Sequence, residues 1–403
     1  MVTRQRLKKV ALWLHKQLGI WLGLLMVLLG LTGSALVFME DLEPLLYPQQ
    51  LQPGPPITPS PQLSPDHILK TLEQQLSTGR DKILRLYSPT DKYPIYRAVV
   101  TTINEAGKSN GDFYFHYISP HDGKYLGTHL AKTHNPNQWH MPLFRLLLGI
   151  HTHLMVGHYG ELLIGIVGLF FLLTLLLGYY LWWPNRRQRS ASRSSIFAIN
   201  TNKGSARLLY DLHRQVGFFM GFLLLIACVS GIYLTYPKQS KTITRLLLPY
   251  EHTQQTLRQH TITDTGPEQS LSTLLAYIKQ RHPDGYNIRY YLQDRDKKKI
   301  TIALSLPGAI NRSEGKTQYH FNSITAEPFG YSHPHTQPAG NQLINWMFPL
   351  HNGEAFGLAS KILLFITGFT PLLLYITSLL LWYKKWQRQT QRGPWAFVRF
   401  LLT

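Results

Sequence analysis

Cysteine is almost absent: Cys228 is the only one in 403 residues. A single thiol excludes thiolate-ligated iron–sulfur clusters, which need several ligands, and it excludes any intrachain disulfide. Acidic residues are scarce as well, with 21 Asp and Glu against 41 Lys and Arg and a formal net charge of +20. No glycine-rich dinucleotide fingerprint follows a predicted strand, and the basic stretches are too short to be a flavin or nicotinamide domain. Electrons for any redox chemistry must therefore come from a separate donor.

Long apolar runs are present, near 13–38, 161–183, 215–236 and 358–383. Each approaches or exceeds the roughly 20 residues that cross about 30 Å of hydrocarbon. The first is far longer than a signal-peptide core and reads as an uncleaved anchor. Only Pro371 interrupts the last, and no pair of broken spans with midplane charges marks a transport site. Arg4, Arg6, Lys8, Lys9 and Lys16 precede the first run. Arg186, Arg187, Arg189, Arg193, Lys203, Arg207 and Arg214 lie between the second and third, and Lys384, Lys385, Arg388, Arg392 and Arg399 follow the fourth. By the positive-inside rule these stretches are cytoplasmic, both termini included, and the long segments 40–142 and 237–345 face the periplasm or an equivalent outer compartment. The excess positive charge is thus assigned to topology and anionic lipid, making the bilayer a partner and nucleic acid not one.

The chain also repeats itself. Leu14-His15-Lys16-Gln17-Leu18-Gly19 opens the first run, and Leu212-His213-Arg214-Gln215-Val216-Gly217 opens the third. The match continues through Gly23 and Gly221, and through Gly33 and Gly231. His151 stands six residues before Gly157, and His351 six before Gly357. Both lead into apolar runs that end in Trp182-Trp183 and Trp382-Tyr383. Between the spans, 64–76 reads as a capped helix, followed by strands at 82–87, 93–102 and 112–119. A helix at 270–281 and strands at 287–293, 299–306 and 318–322 repeat that order. Pro44, Pro48, Pro53, Pro55, Pro56, Pro59 and Pro61 predict an extended linker after the first span.

A parallel duplication implies a pseudo-twofold axis along the membrane normal. It sets His15 opposite His213 at the cytoplasmic end and His151 opposite His351 at the outer end, the latter on short interfacial helices or extensions of the spans. Ionisable groups at membrane depth usually face the bundle interior. Two facing imidazoles there suit the axial sites of a six-coordinate haem b, so the expected cofactors are two haem b groups ligated by His15/His213 and His151/His351. His153 and His158 have no counterpart in the second half and are candidates for substrate or propionate contacts. Trp21, Phe170, Phe171 and Phe222 are candidates for the space between the haems, and Trp139, Trp182, Trp183, Trp346 and Trp382 for an interfacial belt. His67, His116, His121, His129, His134, His252, His260, His282, His320, His333 and His335 read as surface or module residues.

The Leu-His-Lys/Arg openings, the run Pro349-Leu350-His351-Asn352-Gly353-Glu354 and the strand-turn segments 117–127 and 319–330 resemble the PepSY-associated transmembrane family. Its better understood members are iron-regulated inner-membrane proteins, some similar to ferric-siderophore reductases with two b haems. The resemblance implies an α-helical membrane protein with four transmembrane helices in two parallel repeats and two periplasmic α+β PepSY-like modules. The division is then an N-terminus and first helix (1–40), module 1 (41–142), an interfacial helix and second helix (143–183) and a cytoplasmic loop (184–207). A third helix (208–236), module 2 (237–342), an interfacial helix and fourth helix (343–383) and a cytoplasmic tail (384–403) follow. The implied activity is reduction of a periplasmic ferric siderophore docked between the modules, with electrons from a cytoplasmic reductase or a membrane quinol. The alternative is a non-catalytic membrane protein whose modules bind or restrain a periplasmic peptidase or other partner.

Overall fold

A computed structural model describes residues 2–52, 54, 61–76, 80–104, 109–133, 142–183, 197–202, 204–251, 257 and 260–390. The expectations for Pro53, Pro55, Pro56, Pro59, His134, Trp139, His252, Lys203, Arg392, Arg399 and the arginines of 184–196 lie outside the described residues.

Among the described residues four helices are long and apolar enough to cross a membrane, spanning Gln5–Val37, Gly157–Trp182, Ser205–Thr235 and Leu358–Gln387. They belong to α1 (Val2–Val37), α6 (Gly157–Trp182), α7 (Ser205–Thr235) and the pair α11 (Leu358–Gly368) and α12 (Thr370–Thr390). The break between α11 and α12 falls at Phe369, two residues before Pro371, whose missing N–H and ring interrupt the helical ladder there. Close packing explains several glycines: a Cβ at Gly23 would meet the Tyr375 ring, and one at Gly165 the Tyr236 ring.

After α1 the chain does not extend, as the prolines suggested. It forms α2 (Met39–Leu46) and α3 (Pro48–Leu51). Pro48 sits at the start of α3, where its missing N–H costs no helical bond. Two further short helices, α5 (Leu143–His153) and α10 (Ala339–Asn352), precede the second and fourth spans. The turns out of them pass through Gly157 and Gly357, with φ of 63° and 73°, a left-handed conformation that favours glycine. After α7 comes α8 (Pro237–Leu247).

The segments between the spans build one antiparallel sheet in the order β4-β3-β2-β1-β5-β6-β7-β8. Its first half is β1 (Asp81–Tyr87), β2 (Tyr96–Ile103), β3 (Ser109–Ile118) and β4 (Tyr125–Lys132). Its second is β5 (Tyr286–Tyr291), β6 (Lys299–Ser305), β7 (Thr317–Asn322) and β8 (Pro328–Ser332). Helices α4 (Pro65–Gln75) and α9 (Leu271–Arg281) cover one face. Ser64 and Ser270 cap them through bonds from the His67 and Thr273 amides.

The two halves are fused. Strands β1 and β5 pair through Arg85, Leu86 and Tyr87 against Tyr291, Tyr290 and Arg289. Ile68 and Leu72 of α4 share one core with Leu274 and Ile278 of α9, together with Leu86, Tyr290 and Ile302. Asp66 of α4 accepts bonds from the Leu271 and Ser272 amides at 2.6 and 2.9 Å, so it caps the other half's helix. Arg295 joins Glu268 at 2.7 Å to Glu73 at 3.0 Å. Among the described residues the seam between the halves is thus a paired and packed one, not a boundary between two independent modules.

The opposite face of the sheet looks toward the bundle. Leu51 of α3 packs there with Tyr93, Ile95 and Tyr117. Arg145 of α5 pairs with buried Glu43 at 3.0 Å, and the Tyr93 hydroxyl donates to the same carboxylate at 2.9 Å. In the second half, Ser313 of the β6–β7 loop bonds the Glu354 carboxylate through its amide (3.1 Å) and hydroxyl (3.0 Å). Burial pushes the Glu354 carboxyl up from its ordinary value, against those two bonds. Asp41 links Lys92 at 2.8 Å and Lys361 at 2.9 Å, tying α2 to α11.

Candidate functional site

The duplication brings the four membrane-edge histidines together in two pairs. The rings of His15 and His213 have centroids 6.3 Å apart and planes at 84°. Those of His151 and His351 are 6.0 Å apart and inclined at 48°. The second pair lies at the sheet end of the bundle, beside Thr32 and Ser230. Seventeen residues separate His15 from Thr32 along α1, which places the pairs about 26 Å apart at the helical rise of about 1.5 Å per residue.

Every one of the four rings is held through Nδ1 by its own repeat. His151 Nδ1 lies 3.1 Å from the Thr32 hydroxyl and His351 Nδ1 3.2 Å from the Ser230 hydroxyl. The carbonyl of Ala227 is 3.0 Å from His351 Nδ1, and Leu29, its equivalent, holds His151 in the same way. At the distal pair, His15 Nδ1 meets the Thr174 carbonyl at 3.0 Å, and His213 Nδ1 meets the hydroxyls of Thr377 (3.0 Å) and Ser378 (3.3 Å).

These bonds determine the tautomers. The Thr32 hydroxyl proton is already donated to the Leu28 carbonyl at 2.8 Å, that of Ser230 to Ile226 at 2.7 Å and that of Thr377 to Leu373 at 2.8 Å. Each oxygen is left to accept, as a carbonyl must, so each Nδ1 carries the proton. Each Nε2 then carries a lone pair, and among the described residues none bonds to it. Two bare acceptors facing one another call for an electrophile between them.

The spacing fits a metal held axially by both rings. A metal–imidazole bond of about 2 Å, plus about 1.2 Å from nitrogen to ring centre, gives about 6.4 Å between opposed centroids. Among the described residues no three His, Cys, Asp or Glu side chains converge as the ligand set of a metal ion. Two imidazoles therefore suit a metal that brings its own equatorial donors, as haem does. Glycines let the rings in: a Cβ at Gly33 or Gly231 would stand 3.0 Å from Cε1 of His151 or His351, and one at Gly178 3.2 Å from Cε1 of His15. Beside the sheet-end pair lies a cavity of about 820 Å³ lined by Gly30, Gly33, Gly168, Gly231 and Gly368 together with Leu29, Leu224 and Phe171. That volume falls in the range of about 300–1,000 Å³ typical of cofactor pockets.

Other expectations divide. His153 is buried and lines the same cavity. His158 instead is exposed, with Nδ1 3.7 Å from Glu161, and is not part of the cavity wall. Trp21, Phe170 and Phe222 are exposed on the outside of the bundle, where lipid would lie, so of the four proposed bridging aromatics only Phe171 reaches the cavity. His320 is a module residue, buried in β7 against Thr301 and Phe329. The hydroxyls of Thr32 and Ser230 were missed from sequence, although both lie seventeen residues after their repeat's first histidine.

A family model described as the PepSY-associated TM region matches residues 12–385. The chain belongs to that family, and with its four apolar helices it is a membrane protein. No curated protein matches it.

Proposed function

We propose that the protein is an inner-membrane di-haem b reductase that carries electrons from the cytoplasmic side to a periplasmic ferric chelate, a ferric siderophore. The observation behind this reading is the set of four imidazoles, paired with ring centres 6.3 and 6.0 Å apart and each held through Nδ1, which leaves its Nε2 unbonded among the described residues. His15 with His213, and His151 with His351, would hold one haem each. When bound, haem supplies reversible one-electron chemistry without obligatory proton transfer, at a potential set by ligands, hydrogen bonds and burial. Thr32, Ser230, Thr377 and the carbonyls of Leu29, Ala227 and Thr174 orient the imidazoles and raise their basicity. The apolar helices exclude water from both pairs.

The two pairs sit near opposite ends of the spans, as a path across the bilayer requires. Basic flanks orient the His15 end toward the cytoplasm, where a reductase or membrane quinol would be the donor. An electron delivered to Fe(III) in the chelate leaves Fe(II), which hard oxygen donors hold less tightly, and iron is released for uptake.

The test is a reduced-minus-oxidised spectrum of the purified full-length protein with pyridine haemochrome quantification. Two low-spin b haems per chain are expected, one lost in each of His15→Ala, His213→Ala, His151→Ala and His351→Ala. Colourless protein made with ample haem would refute the reading and favour a partner-binding role for the modules.

A further inference from the structure

The seam between the sheet halves carries an Arg-x-Tyr motif twice: Arg85-Leu86-Tyr87 on β1 and Arg289-Tyr290-Tyr291 on β5. Antiparallel pairing sets Arg85 opposite Tyr291 and Tyr87 opposite Arg289. Alternation along a strand places all four side chains on the face turned toward the bundle, because Leu86 and Tyr290 point into the core on the other. The guanidiniums lie 5.1 Å from the Tyr291 ring centre and 4.9 Å from that of Tyr87. Arg97, paired with Tyr87 across β2, lies 5.3 Å from the same ring and 3.8 Å from that of Tyr93.

This checkerboard is strongly basic. Of the nearby carboxylates, Glu43 is paired with Arg145 and Glu314 with Lys316, Glu314 also acting on Arg85 and Arg289 from beyond ion-pair distance. Among the described residues Arg85, Arg97 and Arg289 make no ion pair within 4 Å, and the Nε atoms of Arg97 and Arg289 are buried without a hydrogen-bond partner. Arg85 is exposed, and Arg97, Arg289 and Tyr291 are partly so. The motif straddles the repeat axis, and the same duplication relates His151 to His351. From the patch, Tyr87, Phe115 and Arg145 lead in successive ring contacts to the wall of the cavity beside that pair.

We propose that this underside patch is the acceptor-binding surface and that the acceptor is a multivalent anion with aryl rings, the class represented by tris-catecholate ferric complexes. This rests on the ferric-chelate reading above and names the kind of chelate. Three guanidiniums without an ion pair within 4 Å attract the anion, and their planes and the tyrosines stack on its rings, which a point-charge lysine cluster would not do. A neutral trihydroxamate complex offers neither charge nor aryl face. Placement over the axis brings the metal complex to the sheet-end pair equally from both repeats.

The test uses gallium(III) tris-catecholate, which binds as the ferric complex does but accepts no electron, titrated calorimetrically into the full-length protein in detergent. Binding at least about tenfold tighter than gallium(III) trihydroxamate is expected, weakening with salt as exposed charge pairs do. Arg289→Gln and Arg97→Gln should each weaken it about tenfold, with Arg289→Lys intermediate, since stacking and charge contributions are each on the order of a tenfold change. Arg85→Gln, at an exposed side chain, supplies the same test where the other variants unfold. Equal binding of the two complexes, or unchanged binding in folded Gln variants, would overturn the proposal. So would Gln variants that alter only association with anionic-lipid nanodiscs, since the patch would then hold headgroups. Gallium complexes report no redox step, so failure here with intact haem spectra leaves the electron-carrier reading standing, and colourless protein that binds the probe leaves the patch standing.

Discussion

Replacing Thr32 by Val removes one hydroxyl and keeps nearly the same shape beside His151. The Nδ1–H···Oγ1 bond of 3.1 Å is lost, and the Leu29 carbonyl is left as the only acceptor named for that nitrogen. A hydrogen bond of this kind has a net worth of about 1 kcal/mol. It makes the imidazole a more electron-rich ligand and so stabilises the oxidised, more highly charged metal. On the di-haem proposal, and with that energy acting on the oxidised state alone, its loss raises the midpoint potential of the haem at the sheet-end pair by about 40 mV at about 59 mV per 1.4 kcal/mol for one electron, or by about 20 mV where the carbonyl takes over half the bond. Ser230→Ala makes the same change on His351, where Ala227 remains at 3.0 Å, and should match it in sign and size. An optical redox titration of the purified protein resolves the two haems. One potential should rise in each variant, further in the double variant, while that of the haem proposed for His15 and His213 stays put. Potentials that do not move, or a shift confined to the other midpoint, would refute the assignment of the Nδ1 proton as donor to the Thr32 and Ser230 hydroxyls.

Glu43→Ala should destabilise the protein by about 3–5 kcal/mol in chemical denaturation, because it strands Arg145, whose side chain is 11% exposed, without its carboxylate; Glu43→Gln, which still accepts from Tyr93, should cost less, and a loss below about 1 kcal/mol in both would show the pair to be dispensable. Leu274→Ala should cost about 2–5 kcal/mol and lower hydrogen-exchange protection in β2 as well as β6, since both strands feed one core; loss confined to β6 would contradict the fused sheet. Burial, aided by Lys299, pushes the His320 imidazole down to about 4 from an ordinary 6.5. The unfolded chain therefore binds the extra proton first, so this contribution is complete above about pH 6.5 and fades as pH falls toward 4, on the order of 3 kcal/mol in all. His320→Gln should flatten thermal stability over that window, and an unchanged slope would place the titration elsewhere.

Much of the architecture is legible in the residues alone. Apolar length marks the spans, because a bilayer demands about 20 such residues whatever surrounds them. Ser64 and Ser270 mark helix starts, and the repeated Leu-His and His-x5-Gly patterns mark the paired histidines, because duplication carries local chemistry with it. Three-dimensional packing decided the rest. That β1 and β5 join the halves into one sheet depends on edge strands finding each other across some 200 residues, a pairing that no local period encodes. Pro44 and Pro48 read as extended linker, yet Pro48 opens α3, where its missing N–H costs no helical bond, and Pro44 lies inside α2. His153 and His158, five residues apart, differ only in which side of a turn they occupy: one is buried in the cavity wall and the other is in solvent. The hydroxyls that hold His151 and His351 sit more than a hundred residues from those rings, so the sequence could single out and pair the histidines, and only the folded bundle could say which nitrogen each one leaves unbonded.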